Sequence, residues 1–588
     1  RVGVFTRTPD EHVLLLVAHH IVVDFWSLAI LLRELGRLYS AERAGAAADL
    51  LPPAREYTHF VSWQEDMLSG AEGERLWQFW SGRLAGELPQ LALHTDRRRT
   101  PARTDRGASF NFRLPSDLLR GVKSLGRSRG ATLYMTLLAA YEALLHRHTG
   151  QTELVVGSPT TGRGRAEFTG VVGYFVNPLA LRASVSGGQT FNALLEEVRR
   201  GVLSAFEHQE YPFAQLVERL QPARDPGRPP VFQTMFVLQS APALDGQNLA
   251  PIAVCDTGAR IEWAGHTLEP VELQQPAAQF DLMLTMAESA DGLTASFEYS
   301  TDLFDRATVE RMASHFRNLL GGIVADPDAR LSELPLLEPG ERRRLLVEFN
   351  DTRRDYGRDV CAHQLFEQHA RRSPEAVALT FGGEQLTYGE LNARANRLAR
   401  HLRGLGVGPE VKVALLLERS AEMVVSLLAV LKAGGCYVPL DPGHPVERLR
   451  YMLEDSGAQV LLTRSARVPQ LAPLPRLRTV CLDAEGATIA AGSAADPGHA
   501  PDADGLCYII YTSGSTGQPK GVCVTHGGLS NYLLWARSAY GLGPGRGAPV
   551  HSPLGFDLTV TSLLVPLCAG ASVSLLPEGH GVEHLAEA

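Results

Sequence analysis

Two spacings of apolar residues alternate along this chain, one typical of strands and one typical of helices. Residues 13–18 form an unbroken apolar run that predicts a buried strand, and leucines at helical spacing predict an amphipathic helix over residues 25–39. Four further elements are predicted in the first half: helices over residues 191–206 and 302–323, and strands over residues 280–286 and 292–299. The first half is therefore predicted to mix helices with strands.

In the second half, helix and strand patterns follow one another at short intervals. The predicted elements lie at residues 366–371, 376–381, 388–405, 412–417 and 421–433. Such alternation predicts an α/β fold. Residues 326–360 are rich in Pro, Arg, Asp and Glu and are predicted to form a linker that packs on both halves instead of a free tether. We therefore predict a first domain over 1–325, a linker over 326–360 and a second domain over 361–588.

Length and composition restrict the class of protein. A chain of 588 residues is too long for one core, and its net charge of −9, without a basic run, gives no indication of nucleic-acid binding. The seven cysteines form no CxxC pairs, which predicts a reducing compartment without disulfides or structural zinc. No apolar run is long enough to span a bilayer, so we expect a soluble, cytoplasmic protein without membrane partners. Because the chain begins at Arg1 and ends at Ala588, we expect it to be a fragment.

The strand predicted at residues 13–18 ends at two adjacent histidines, His19 and His20, and Asp24 follows at the turn into the predicted helix. Adjacent strand residues point to opposite faces, so one histidine can face a cleft. A histidine there can act as general base towards an amine, with the aspartate holding the local geometry. Core packing or a metal pair are the alternatives that this cluster leaves open on its own.

Five stretches in order resemble the motifs of condensation domains. They are HHIVVD, YTHFVSWQ, VGYFVNPLALR, HQEYPF and RDPGRPP, beginning at residues 19, 57, 172, 208 and 224. The resemblance implies two stacked lobes of the chloramphenicol acetyltransferase type with a tunnel between them, and it favours condensation over the related epimerisation domains. Two earlier motifs of the family are absent, so the first lobe is expected to begin partway through.

The resemblance also implies roles for individual residues. His20, His19 and Asp24 would form the catalytic motif, with His20 at the reaction centre and Asp24 as a structural support held by an arginine, for which Arg163 is the candidate. Tyr174 and Asn177 would line the site, although Asn177 also fits a turn residue of a strand. Two residues depart from the family pattern: Phe25 replaces a glycine, which predicts a differently shaped acceptor side, and His59 replaces an acidic residue.

A loop rich in glycine and hydroxyl residues follows the apolar run 506–510 of the second half. Its sequence, YTSGSTGQPKGV, begins at Tyr511. The glycines allow backbone N–H groups to approach a ligand, the hydroxyls add donors and the lysine adds a positive charge, so the loop suits phosphate. The residues predicted to bind phosphate are Thr512, Ser513, Gly514, Ser515, Thr516, Gly517 and Lys520. The spacing differs from that of a Walker P-loop, and a surface linker is the alternative.

This loop resembles that of adenylate-forming enzymes, specifically the adenylation domains of nonribosomal peptide synthetases, and LTYGEL (386–391) and LKAGGCYVPLDPGHP (431–445) resemble further motifs of that family. The resemblance implies ATP with Mg²⁺ as cofactors and an amino acid as substrate. Asp557 stands where the family's aspartate pairs with the substrate ammonium, and Leu558 and Thr561 stand at pocket positions. Asp557 also fits the N-cap of a helix over 558–567. No metal site built by the protein itself is predicted.

Taken together, the resemblances imply a fragment of a modular nonribosomal peptide synthetase. Carrier domains upstream and downstream would supply phosphopantetheine arms, because no LGGxS-type attachment motif occurs in the chain. In this family a later segment, with a mobile lid and a lysine, completes the adenylation site, so we expect weak or no adenylation from these residues alone. The alternatives are an acyl-CoA ligase fused to an acyltransferase and an inactive docking scaffold.

Overall fold

The computed structural model divides the chain into two compact units, Arg1–Asp351 and Thr352–Ala588, and each unit is described by itself. The structure describes residues 1–48, 50, 55–222, 225–240, 244, 247–256, 258–271, 277–289, 292–356, 360–471, 474, 476–498, 502–513, 518–542 and 547–577.

The first unit mixes helices with mostly antiparallel strands. Its strands are β1 (Val2–Thr8), β2 (Glu11–Leu16), β3 (Gly107–Pro115), β4 (Glu153–Thr160), β5 (Asn177–Ser184), β6 (Thr234–Leu238), β7 (Ile261–Trp263), β8 (His266–Leu268), β9 (Leu282–Ser289) and β10 (Gly292–Ser300). Its helices are α1 (Phe25–Ala44), α2 (Tyr57–Ser69), α3 (Ala71–Arg83), α4 (Ser116–Ser128), α5 (Leu133–Thr149), α6 (Phe191–Phe206), α7 (Phe213–Leu220), α8 (Ala250–Ala253), α9 (Arg306–Ala325) and α10 (Pro339–Arg343).

A six-stranded sheet in the order β3-β10-β9-β6-β4-β5 forms the framework of this unit. Helix α5 is apolar on nearly all sides and is buried from Met135 to His146, so it forms the centre of the core together with α6 and α9. The helices predicted over 191–206 and 302–323 are confirmed as α6 and α9, although α9 begins only at Arg306. The two predicted strands are confirmed as β9 and β10.

The strand predicted before the histidines exists as β2, but the expectation that it is buried is wrong. Strand β2 pairs only with β1, in a two-stranded hairpin, and its residues are half-buried at most. Val17, just beyond its end, is 52% exposed. A hairpin without further strands or a covering helix on both faces cannot bury an apolar run on both sides.

Residues 326–351 of the predicted linker belong to the first unit, and the earlier part of this stretch packs on it. Leu331 and Leu334 are buried in its core, and the Arg147 guanidinium donates hydrogen bonds of 2.6 and 2.8 Å to their carbonyl oxygens. His315 of α9 contacts Glu341 of α10 at 2.8 Å. Residues 357–359 of the predicted linker lie outside the described residues, and the boundary at residue 360 stays a prediction.

Helix α5 also carries a buried carboxyl group, that of Glu142. It lines a cavity of ≈180 Å³ with Arg83 and Glu197, and its Oε2 atom accepts no hydrogen bond within the part of the chain that the structure describes. Desolvation raises the pKa of Glu142 to about 8. The folded protein therefore holds a proton on Glu142 at pH values at which the unfolded chain has lost it.

This proton makes folding stability dependent on pH. Between the unfolded pKa of 4.5 and the folded pKa of about 8, stability falls as the pH rises, with a slope of up to about 1.4 kcal/mol per pH unit. Glu142→Gln should remove that slope. The free energy of unfolding of the wild type minus that of the variant should therefore decrease as the pH rises from 5 to 8.5. The matched control is Glu196→Gln, an exposed carboxyl on α6. A constant difference for Glu142→Gln would contradict the prediction.

The second unit shows the predicted α/β alternation. Its strands are β11 (Val377–Phe381), β12 (Glu384–Thr387), β13 (Lys412–Leu416), β14 (Cys436–Leu440), β15 (Val460–Thr463), β16 (Arg478–Cys481), β17 (Leu506–Ser513), β18 (Pro519–Thr525), β19 (Ala548–Val550) and β20 (Val573–Leu575). Its helices are α11 (Ala362–Arg372), α12 (Tyr388–Gly404), α13 (Ala421–Ala433), α14 (Val446–Ser456), α15 (Gly486–Ala490), α16 (His526–Ala539) and α17 (Asp557–Ala569).

Two sheets organise this unit. The larger has the order β16-β15-β13-β14-β17-β18, parallel except for β18, and the smaller has the order β12-β11-β20-β19. The buried Tyr388 at the start of α12 donates its hydroxyl hydrogen to the carbonyl of Ala571 at 2.7 Å, and so fixes the chain where α17 ends. Among the described residues, those predicted to bind phosphate lie on β17 and β18, and those predicted to bind the amino acid lie on α17.

Candidate functional site

Asp24 is the N-cap of α1, and its carboxylate receives four hydrogen bonds. Oδ1 accepts from the backbone N–H of Ser27 at 2.7 Å and Oδ2 from that of Phe175 at 3.2 Å. Arg163 donates to the two oxygens at 3.1 and 3.2 Å, and both charged side chains are 1% exposed. The structure thus brings together the predicted pair, which lies 139 residues apart in the sequence.

The Arg163 guanidinium also donates hydrogen bonds to groups other than the Asp24 carboxylate. It donates to the carbonyls of Phe168 and Val171, both at 2.7 Å, and to the Ser27 hydroxyl at 2.8 Å. Its Cζ atom lies 3.9 Å from the centre of the Phe175 ring. Desolvation lowers the pKa of Arg163, and the Asp24 charge opposes that shift. Arg163 therefore ties residues 168–175 to the start of α1, and Ser27, which the sequence reasoning missed, is part of the same network.

The two histidines have opposite hydrogen-bond patterns. His20 Nδ1 lies 2.7 Å from the carbonyl oxygen of Val23, which can only accept, so Nδ1 carries the hydrogen. In the neutral ring Nε2 then holds a lone pair, and no residue that the structure describes occupies it. His19 Nδ1 instead accepts from the N–H of Ile21 at 3.2 Å, so its hydrogen is on Nε2. Both residues are exposed, which argues against core packing.

Tyr174 contacts His20 directly. The two rings meet edge to face with 5.2 Å between their centres. The backbone carbonyl of Tyr174 accepts a 2.6 Å hydrogen bond from the hydroxyl of Tyr57, the first residue of α2. Burial, followed by the charge of Asp24, raises the pKa of Tyr57, so this hydroxyl remains a donor.

Asn177, the first residue of β5, uses its side chain to hold another segment. Both amide hydrogens are donated to backbone carbonyls, of Gln209 and Tyr211, at 2.8 Å each. Its Oδ1 accepts from the N–H of Phe213 at 2.9 Å. Asn177 therefore joins β5 to the HQEYPF stretch, which favours the structural alternative over a side chain free to meet substrate.

The two departures from the family pattern have visible local roles. Phe25 packs against the cluster formed by Ala29, Leu244, Leu249 and Ile261. His59 accepts the Glu56 N–H at 3.0 Å and completes the capping box that begins α2. A histidine in place of the usual acid thus still fixes the start of the helix that carries Tyr57, whereas the shape of the acceptor side at Phe25 stays a prediction.

The predicted phosphate loop joins two antiparallel strands. Strand β17 is buried from Cys507 to Tyr511, as expected, and pairs with β18 so that Thr512 lies opposite Lys520. Thr512, Ser513 and Lys520 are exposed at this end of the hairpin, where their hydroxyls and ammonium suit a phosphate. The remaining predicted residues, Gly514, Ser515, Thr516 and Gly517, lie outside the described residues.

Helix α17 begins at Asp557 itself, one residue earlier than predicted, with Phe556 as the N-cap. The N-cap interpretation of Asp557 is therefore wrong: its carboxylate is exposed in the first turn, favoured there by the helix dipole, and accepts no hydrogen bond from the residues described. Thr561 lies one turn further on the same face, whereas Leu558 is 55% exposed beside it.

Two tyrosines near Asp557 were not identified from the sequence. The Tyr532 hydroxyl of α16 lies 2.5 Å from the Thr561 hydroxyl. Desolvation raises the pKa of Tyr508 on β17 to about 12, and the charges of Cys507 and Asp557 add to that shift. Helix α16 packs against both α17 and β17, and the exposed Asp557 carboxylate stands at the start of α17. The strand pattern alone could not show that Tyr508 lies near enough to Asp557 to feel its charge.

Comparison with known protein families identifies the domain in each unit. Residues 1–346 match the model described as Condensation domain, and residues 366–587 match the model described as AMP-binding enzyme. The chain therefore belongs to the nonribosomal peptide synthetases and carries a condensation domain followed by an AMP-binding domain. The predicted α/β fold class and family are confirmed.

Individual relatives support this assignment. The chain is 40% identical to a linear gramicidin synthase from Brevibacillus parabrevis over 96% of its own length but 11% of that protein, and 40% identical to tyrocidine synthase 3 from the same organism over 98% and 9%. It thus spans about a tenth of these relatives. A four-domain nonribosomal peptide synthetase, crystallised with AMP and glycine, shares the fold with a TM-score of 0.81 at 24% identity, over 98% of this chain and 42% of that one.

Within the described ranges, no helix is long and apolar enough to cross a membrane.

Proposed function

We propose that the first unit forms an amide bond between two carrier-bound groups, with His20 as the general base. The acceptor amine attacks the donor thioester carbonyl, the C–N bond forms, the C–S bond breaks, and the amine proton passes to His20 Nε2 and on to the leaving thiolate. The observation that carries this proposal is the bond between His20 Nδ1 and the Val23 carbonyl, which leaves Nε2 free to take the proton. The acyl groups would arrive on phosphopantetheine arms of neighbouring carrier domains.

An experiment in D₂O separates condensation from epimerisation. The full-length protein is supplied with an aminoacyl acceptor carrier, alone or with a charged donor. We expect an amide only when the donor is present and no deuterium at the Cα atom of the acceptor residue. Deuterium incorporation without amide formation would contradict condensation, because it would show that the base removes the Cα proton instead.

For the second unit we propose ATP-dependent adenylation of an α-amino acid. ATP with Mg²⁺ would supply the α-phosphorus that the amino-acid carboxylate attacks, and pyrophosphate would be the leaving group. Thr512, Ser513 and Lys520, with Gly514, Ser515, Thr516 and Gly517, would hold the phosphates. The free carboxylate of Asp557 would bind the substrate ammonium, with Thr561 and Leu558 lining the side-chain pocket, and this argues for an amino acid over a fatty or aryl acid.

Asp557→Asn tests this assignment by ATP–pyrophosphate exchange in the full-length protein. Loss of the carboxylate partner of an ammonium group should raise the KM for the amino acid by about tenfold or more while the KM for ATP stays unchanged. The matched control is Asp504→Asn, an exposed aspartate of the same unit, which should leave both values unchanged. Exchange driven only by fatty or aryl acids would instead favour the acyl-CoA ligase alternative.

A further inference from the structure

The chain between Gly173 and Phe175 contacts both parts of the condensation site. Its Phe175 N–H binds Asp24, its Tyr174 ring meets His20, and the Gly173 carbonyl accepts the Asp24 N–H at 3.2 Å. This stretch lies just before β5 and belongs to neither helix nor strand. Its conformation must therefore be fixed by side chains from other elements.

Tyr57 of α2 is the side chain that lies against all three residues of this stretch. Its hydroxyl donates to the Tyr174 carbonyl at 2.6 Å, and its ring meets that of Phe175 edge to face at 5.1 Å. Gly173 leaves room for the same ring, since a Cβ atom there would lie 2.2 Å from Tyr57 Cδ2. Only a residue without a side chain permits this contact.

We infer that Tyr57 is a positioning residue, whose hydroxyl fixes the Tyr174 backbone and thereby holds the Tyr174 ring against His20. The inference rests on the proposed condensation function. Among the described residues, His20 has one hydrogen bond, through Nδ1, and one bond leaves the ring free to swing about that contact. The Tyr174 ring limits this motion and keeps Nε2 aimed at the incoming amine. Tyr57 would thus act through Tyr174 and not on the reacting atoms.

Tyr57→Phe removes the hydroxyl and keeps the ring that packs on Gly173 and Phe175. In the full-length protein with charged carriers, we expect kcat for amide formation to fall by about tenfold, with the KM for the acceptor carrier unchanged, because misplacing a reacting group costs rate more than binding. The matched control is Tyr39→Phe on α1, which removes a hydroxyl bound to His266 and should leave kcat unchanged.

A double-mutant cycle tests whether Tyr57 acts through Tyr174. If it does, Tyr57→Phe should have no further effect on kcat in a Tyr174→Ala background. Independent losses that multiply, or a wild-type kcat for Tyr57→Phe alone, would overturn the inference. Failure of the proposed function has a different outcome, namely no amide formation by the wild-type protein.

Discussion

Replacing His20 with alanine should lower the rate of amide formation by about 10² to 10⁴, the range for loss of a general base. The His20 imidazole lies beside Tyr174 and the Asp24–Arg163 pair, and it is the only group in the described site with a free nitrogen lone pair. ATP–pyrophosphate exchange in the second unit should not change. The measurement is the initial rate of amide formation on charged carriers, with exchange measured on the same preparation.

His19→Ala is the matched control for this result. His19 is also exposed, but its Nδ1 lone pair is engaged by the Ile21 N–H, so its remaining nitrogen is a donor and not a base. We expect its loss to change the rate by no more than a few-fold. A variant pair in which His19→Ala is inactive and His20→Ala is active would contradict the tautomers described above.

Arg163→Met should destabilise the first unit by about 3–5 kcal/mol in free energy of unfolding, because it leaves the Asp24 carboxylate buried without its cation. The variant also removes the donors to the carbonyls of Phe168 and Val171. Amide formation should be lost with the geometry of α1. Denaturant unfolding of the first unit, followed separately from the second, measures the change.

Arg165→Met is the control for this second result. Arg165 lies two residues away and forms an ion pair with Glu167 at 2.8 Å, but its side chain is 47% exposed. Exposed ion pairs contribute about 0–1 kcal/mol. Equal destabilisation by Arg163→Met and Arg165→Met would show that the buried pair with Asp24 is not what holds this region together.

Local apolar spacing predicted some elements of the fold and left others out, such as α4 and α5. Helix α6 was predicted with its true bounds because its apolar stripe begins directly after its N-cap, Thr190. Helix α9 was predicted four residues too early, since Leu303 and Phe304 continue the apolar pattern although they are buried before the helix starts. At Leu303 and Phe304 the apolar pattern predicted burial correctly but did not show that these residues lie outside the helix.

The site depended more on tertiary contacts. Nothing in the local sequence links Asp24 to Arg163, and that pair was proposed through family resemblance alone. The tautomer of His20 depends on where the Val23 carbonyl lies, and the effect of Asp557 on Tyr508 depends on how α16 packs against both β17 and α17. A one-residue error at the start of α17 was enough to leave the N-cap interpretation of Asp557 open.

Single-turnover transfer between charged carriers tests the central claim most directly. Donor and acceptor carriers of the full-length protein are loaded with acyl-phosphopantetheine arms, which makes the result independent of adenylation. The acyl group on each carrier is then identified by mass spectrometry. The account predicts that the donor acyl group moves to the acceptor amine in the wild-type protein and stays on the donor in His20→Ala. Transfer at the same rate in both proteins, or no transfer in the wild type, would contradict it.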